Sequence, residues 1–163
     1  YGPNNAVLVL AGDIDVATAR RKVTRYFGDI PATATLPDMK TDIPRRPADT
    51  REVLPDRVPQ VRILRAWPVA EWGTRDATLL SLFGQVFGGS ATSRLDTRLV
   101  FNDRLADSVS AGLWEKEIAG SFTLQADVKQ GVDPAKVEAI IDEELERLVA
   151  EGPTATEMEQ AKT

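Results

Sequence analysis

An α+β fold, with helices packed on one face of a largely antiparallel sheet, is what this sequence predicts. Three observations carry that expectation. Two segments near residues 108 and 121 alternate apolar and polar residues with period two, as strands covered on one side do. Several other segments repeat their apolar residues at helical spacing. Strands and helices are mixed rather than strictly alternating, which argues against a parallel βαβ sheet.

Ala6 to Gly12 (AVLVLAG) is short, apolar and ended by Gly-Asp, the pattern of a buried strand. Asp15 stands where a helix N-cap belongs, and Val16, Ala19, Val23 and Phe27 follow at helical spacing before Gly28 and Pro31 stop the run. From Pro31 to Pro59 prolines recur at 31, 37, 44, 47, 55 and 59. Proline fixes φ and removes a donor, so this stretch predicts an extended connector with at most a short strand near Arg51 to Leu54. It also marks the expected division: 1–31, a connector over 32–58, and 59–163.

Strand character resumes over Val61 to Trp67. A helix is predicted from Arg75 to Phe87, with Leu79, Phe83, Val86 and Phe87 on one face and Gly88-Gly89 as its stop. A shorter helix over Ala91 to Phe101 pairs Leu95 with Leu99 and Arg94 with Arg98. The two alternating segments put Val109, Ala111 and Leu113, then Phe122, Leu124, Ala126 and Val128, on a common apolar face. Glu115 to Gly120 turns the hairpin between them. A long helix follows over Pro134 to Glu151. Val137, Ile140, Ile141, Leu145, Leu148 and Val149 are expected inside; Glu143, Glu144, Glu146 and Arg147 are expected in water, with Glu143 and Arg147 as an i,i+4 pair. Thr154 and Glu157 form a capping box that opens another helix. That helix is cut short at Thr163, and the chain opens without Met, so both ends are expected to be cut from a longer protein.

The 163 residues are 42% hydrophobic and 28% charged, a composition that can bury a core. A net charge of −5 without a basic run excludes the usual nucleic-acid binder. No run reaches the roughly 20 apolar residues of a membrane-spanning helix. The sequence contains neither Cys nor His. Ser-His-Asp and Cys-His catalysis are therefore excluded within the chain, as is a zinc site of the ordinary imidazole or thiolate kind.

Other candidates each have a structural alternative. Asp13 and Asp15 lie beside a strand end, where small ligands often bind, but turn and capping chemistry also fits them. Gly88-Gly89-Ser90 could hold an anion with Arg94, or simply separate two helices. Glu115, Lys116 and Glu117 make a charged hairpin tip, open to acid/base work or to plain solvation. Trp67, Trp72 and Trp114 suit either a core or a partner anchor.

The order of these motifs is similar to that of the pitrilysin/insulinase family of zinc metallopeptidases. Tyr1 to Asp13 (YGPNNAVLVLAGD) resembles the family's Y-x-P-N-N-A-V-L-V-V-x-G-D strand, and Arg25 to Pro31 (RYFGDIP) its K-Y-F-G-D-I-P helix end. Gly88-Gly89 through Ser93-Arg94-Leu95 resembles G-G-x-x-x-S-R-L, and Glu151 to Lys162 the closing G-x-T-x-x-E-L-x-x-A-K. The resemblance implies two related α+β halves around a peptide-admitting chamber. Zinc is held by H-x-x-E-H and a downstream Glu in the first half, outside this segment. Residues 1–31 would end the zinc-bearing half, and 59–163 would form most of the facing half, truncated in its last helix. The chain would then be a non-catalytic substrate-chamber and scaffold segment of a zinc-dependent endopeptidase, inactive by itself. The alternative is a non-enzymatic interaction or assembly module of a degenerate member.

The facing half of active members supplies a substrate-holding Arg and Tyr in L-R-x-x-x-G-L-A-Y-S. Alignment places Val100 at the Arg position and Asp107 at the Tyr position. Neither valine nor an ionised aspartate can donate to an oxyanion. The implied partners are the zinc-bearing half, a second family copy (fused or separate) that could supply the pair, and a peptide substrate. For bacterial relatives the resemblance suggests the periplasm or envelope; the sequence itself carries no address.

Overall fold

A computed structural model describes residues 2–34, 43 and 45–162. The connector residues Pro37 and Pro44, and the terminal Tyr1 and Thr163, lie outside the described residues. The chain divides into two units, Tyr1–Met39 and Lys40–Thr163.

The first unit contains a 3₁₀ turn, Pro3–Asn5, and helix α1, Val16–Phe27. Asp15 caps α1 as expected: its Oδ1 accepts from the Thr18 amide at 2.8 Å. Those hydrogen bonds hold the Asp15 carboxyl below its ordinary range. Asn4 and Thr33 tie the unit's ends, Asn4 Oδ1 accepting from the Thr33 amide at 3.0 Å. The expected buried strand over Ala6 to Gly12 is corrected here. The segment makes no ladder, and Val7 and Val9 are 91% and 79% exposed. A strand is held by the strand beside it, and the first unit contains no second one among its described residues.

The second unit is built on a three-stranded antiparallel sheet ordered β1-β3-β2, from β1 (Arg62–Val69), β2 (Ala106–Trp114) and β3 (Gly120–Val128). β1 runs two residues past the expected Trp67, through Pro68. The pairing explains the tolerance. Val128 donates to the Val61 carbonyl, which turns Ile63, Arg65, Trp67 and Val69 toward β3 and leaves Pro68 with its missing N–H facing outward. The short strand expected at Arg51 to Leu54 does not form; these residues are exposed and meet no ladder partner.

β3 is the centre of the core. Phe122, Leu124, Ala126 and Val128 are buried on one face, as period two requires. Helix α2 (Arg75–Phe87), capped by Thr74, packs across this face. Gly84 sits so close to the sheet that a Cβ would come within 3.3 Å of Gly112 and the Phe122 ring. Phe83 fills the space beside it, its ring 5.2 Å from Phe87 and 5.6 Å edge-on from Phe122. Leu79, expected inside, is 52% exposed, because the contact runs through Ala77, Leu80, Gly84 and Phe87 instead.

Helix α3 (Pro134–Glu151) starts from an Asp133 cap and buries Val137, Ile141, Glu144 and Leu148. Two expectations are corrected. Val149 is 74% exposed, and Glu144 is 1% exposed. At 3.6 residues per turn, Glu144 lies only about 20° from Val137 around the helix, whereas Val149 lies about 120° away. Arg147 accordingly pairs with Glu144, not Glu143. Helix α4 (Ala155–Gln160) carries the expected capping box: Thr154 Oγ1 accepts from the Glu157 amide, and Glu157 Oε2 from the Thr154 amide. Ion pairs Arg51–Glu138 and Arg65–Asp142 fasten the connector and β1 to α3.

Candidate functional site

Val100 and Asp107 lie on one continuous piece of chain between Ser93 and the start of β2. Ser93, only 3% exposed, begins the helix: its Oγ accepts from the Asp96 amide at 3.4 Å and donates to Asp96 Oδ2 at 3.1 Å. Burial pushes the Asp96 carboxyl above its ordinary range, with the Ser93 hydrogen bond opposing. The helix expected over Ala91 to Phe101 starts later, at Arg94, and widens into a π-helix over Asp96–Asn102. The Asp103 amide reaches back five residues to the Arg98 carbonyl at 2.9 Å. The Arg98 side chain closes the same span, Nε donating to Asp103 Oδ2 at 2.7 Å. It also reaches Glu144 at 3.6 Å, which joins the widened turn to α3.

Leu95 and Leu99 are fully buried beneath this turn, and Val100 packs half-buried against the same core. Arg104 follows with φ of 53°, the one non-glycine residue with positive φ among those described. With Val100 and Asp107 aligned as above, Arg104 stands at the glycine of the L-R-x-x-x-G-L-A-Y-S pattern. An L side chain in this region costs about 1 kcal/mol.

Asp107 is the extra residue of a β-bulge. Ala106 opposes Val128 and Ser108 opposes Asp127, so Asp107 has no register partner and stands exposed. Beside it, Asp127 accepts from Ser108 Oγ at 3.0 Å and from Arg62 Nε at 2.7 Å. The Arg62 guanidinium, helped by Ser108, holds the Asp127 carboxyl below its ordinary range against its burial. Neither side chain carries the guanidinium or phenol of the family's pair, so the segment offers no Arg or Tyr donor for an oxyanion at these positions.

The other sequence candidates fall as follows. Gly88 and Gly89 end α2 and turn the chain against β2, where the Gly88 carbonyl accepts from the Ala111 amide at 2.9 Å. Glu115 and Glu117 are exposed in the hairpin connection, and the Lys116 carbonyl accepts from the Trp72 amide at 3.0 Å. Trp67 meets Phe122 at 6.1 Å, while Trp72 and Trp114 are 70% and 67% exposed.

Sequence reasoning passed over Arg94 and Glu157 as a pair. Arg94 Nε and Nη2 grip the Glu157 carboxylate at 2.7 and 3.0 Å, and Nη2 also reaches the Gly152 carbonyl. The forked hydrogen bonds from Arg94, helped by those from Thr154, hold the Glu157 carboxyl down to about 2 against its partial burial. Arg94 Nη1 is buried with no hydrogen-bond partner among the described residues. This clasp fixes α4 to the start of the Val100 segment; the two short matching motifs, S-R-L and T-x-x-E, are its sequence trace.

Zinc fits none of this. No group of three or more His, Cys, Asp or Glu residues among those described could hold a metal ion, and the chain has no imidazole or thiol. Nor is any helix among the described residues long and apolar enough to cross a membrane.

Comparison with known proteins agrees with this picture. The family profile described as the peptidase M16 inactive domain matches residues 1–163. No curated protein matches. Among solved structures, a protease from Helicobacter pylori is similar over 93% of this chain and 37% of its own, with TM-score 0.70 and 18% identity. A peptidase M16 inactive domain from Pseudomonas fluorescens is similar over 93% and 36%, with TM-score 0.67 and 18% identity. The inactive peptidase domain of a protein proposed to be a zinc protease, from Bordetella parapertussis, is similar over 66% and 60%, with TM-score 0.53 and 23% identity. The chain thus spans little more than a third of the first two structures.

Proposed function

The chain belongs to the peptidase M16 inactive-domain family, and from that premise we propose that it is a substrate-chamber and scaffold segment of a zinc-dependent endopeptidase acting on peptides. Its role is non-catalytic. The observation that carries this reading is the donor chemistry: a family domain without imidazole or thiol, whose described carboxylates are spent on caps and ion pairs or stand apart. The metal and its water-activating base belong to another part of the parent protein, and no step of hydrolysis runs through residues of this chain.

In this reading residues 1–31 close the zinc-bearing half, 32–58 connect, and 59–163 face it. The sheet suits a chamber wall. Its helix-covered face is apolar, while the other carries Ser108, Ser110, Ser121, Thr123, Gln125 and Asp127, a hydrated surface that takes peptides without selecting one sequence. Val100 and Asp107 mark this copy as the one that leaves the Arg and Tyr to a second family copy. The same two residues also favour a second reading, an assembly module in a parent without catalysis. H-x-x-E-H in the complete parent sequence separates the two.

Val100→Arg with Asp107→Tyr in the complete parent is the test. If a partner copy supplies the pair, peptidase activity stays within about twofold of wild type, because transition-state stabilisation already comes from elsewhere. A large gain shows instead that the missing pair limits the parent.

A further inference from the structure

Arg104 combines a strained backbone with an unengaged charge. Its φ of 53° lies where glycine is the unstrained residue, and the bonds on either side of it prevent relaxation. The Asp103 amide donates to the Arg98 carbonyl at 2.9 Å, and the Leu105 amide donates to the Leu99 carbonyl at 2.8 Å. Glycine would close this helix end without strain, so the backbone gains nothing from an arginine here. A cation is favoured near the C-terminal end of a helix, but that needs no left-handed residue. The Arg104 side chain is exposed and makes no hydrogen bond or ion pair among the described residues.

A second free cation stands beside it. The Lys129 amide donates to the carbonyl of Leu105, the residue after Arg104, at 3.0 Å. Lys129 follows the buried Val128, so the strand alternation turns its side chain to the face of Gln125 and Asp127, the one without helices. It too has no side-chain hydrogen bond or ion pair among the described residues. The charges nearby are spent on each other, Asp103 on Arg98 and Asp127 on Arg62. Asp107, exposed in the bulge, is the exception. Arg104 and Lys129 against Asp107 leave a positive surplus at this end of the sheet.

We infer that Arg104 and Lys129 form an anchor for a carboxylate of a bound peptide, carried by an Asp or Glu side chain or by a free C-terminus. The inference rests on the reading of the sheet as a peptide-facing wall and adds a charge preference to it. The guanidinium fork of Arg104 takes both carboxylate oxygens, and the Lys129 ammonium adds a point charge beside it. Asp107 works against the anchor, since its carboxylate repels the one being held. The anchor acts on binding and not on the reacting carbonyl.

The test uses the complete parent protein, with chelator present to prevent turnover, and short BODIPY-labelled peptides of Gly, Ser, Ala and Thr followed by anisotropy. Three have amidated C-termini and differ only in a central pair of Glu, Gln or Lys; a fourth has the Gln pair and a free C-terminal carboxylate. Wild type is expected to bind the Glu peptide, the free-carboxylate peptide, or both about fivefold more tightly than the amidated Gln peptide, the gain of exposed ion pairs in water. Whichever is favoured identifies the carboxylate. Arg104→Gln and Lys129→Gln each lose most of that preference, Arg104→Lys keeps part of it, and Asp107→Asn enlarges it. Arg104→Gly separates binding from stability, because it relieves the strain and loses the preference without lowering the melting temperature. Equal wild-type binding of all four peptides, tighter binding of the Lys peptide, or a preference that both Gln variants leave intact overturns the anchor, with the peptide-facing reading still standing. No binding of any peptide by wild type defeats that reading, and the anchor with it. The altered residues are exposed or half-buried outside the core, so the variants fold.

Discussion

The two units treat similar sequences in opposite ways. Val7, Leu8, Val9 and Leu10 form as apolar a run as any in the chain, yet every one is more than half exposed. In the second unit, Phe122, Leu124, Ala126 and Val128 occupy a less apolar, alternating run and are almost completely buried. Local preference does not separate them. The ladder does: β3 has a strand on each side, while residues 6–12 pair with no strand among the described residues. Hydrophobicity supplies the drive to be covered, and the hydrogen-bonded neighbour decides where that drive is met.

The sharpest way to break this comparison is to truncate one side chain from each run. Leu124→Ala removes a fully buried side chain at the centre of the sheet and should cost about 3–4 kcal/mol in urea unfolding. Val7→Ala in the same 163-residue chain should fall within about 0.5 kcal/mol of wild type. Equal costs would mean that the first run is covered after all. In the complete parent Val7→Ala should become measurably destabilising, if residues 1–31 complete a sheet there.

A second expectation concerns the clasp that holds α4 within the second unit. The Glu157 carboxyl is held at about 2 against an ordinary 4.5. The folded value is the depressed one, so the contribution is complete above about pH 4.5 and falls away as pH drops toward 2. About 3 kcal/mol is at stake, roughly two-thirds of it gone by pH 3. Unfolding midpoints across that window, compared with Glu157→Gln, isolate the effect. The variant should lack this part of the pH slope.

The smallest effect has the opposite sign. Arg104→Gly relieves a left-handed backbone at an exposed residue and should stabilise the second unit by about 0.5–1 kcal/mol. A loss of stability on that change would mean that the Arg104 side chain makes a compensating contact.

Much of the second unit was legible because its cues are local. Period two gave β2 and β3, helical spacing gave α2 and α3, and Thr154 caps α4 as its capping box suggests. What escaped depends on partners distant in sequence. Glu144 looked like part of a solvated acidic face, and its burial follows only once α3 is rotated by its contacts and Arg98 arrives from another helix. The π-helix needs the Arg98–Asp103 pair and the Ser93 start, neither visible as a period. Val100 and Asp107 were found through family resemblance alone; the bulge that isolates Asp107 is a property of two strands together. The Gly88 contact with Ala111 was invisible for the same reason, since the two meet only in the folded unit.

The central claim is that this domain contributes shape and contacts while the hydrolytic metal centre lies elsewhere in the parent. Equilibrium dialysis of the purified 163-residue chain against zinc, with metal analysis and a fluorescent casein cleavage assay on the same sample, addresses it most directly. We expect only substoichiometric, weak zinc and no cleavage, because the chain has no imidazole or thiol to bind it. Tight, stoichiometric zinc accompanied by peptide-bond cleavage would contradict the account.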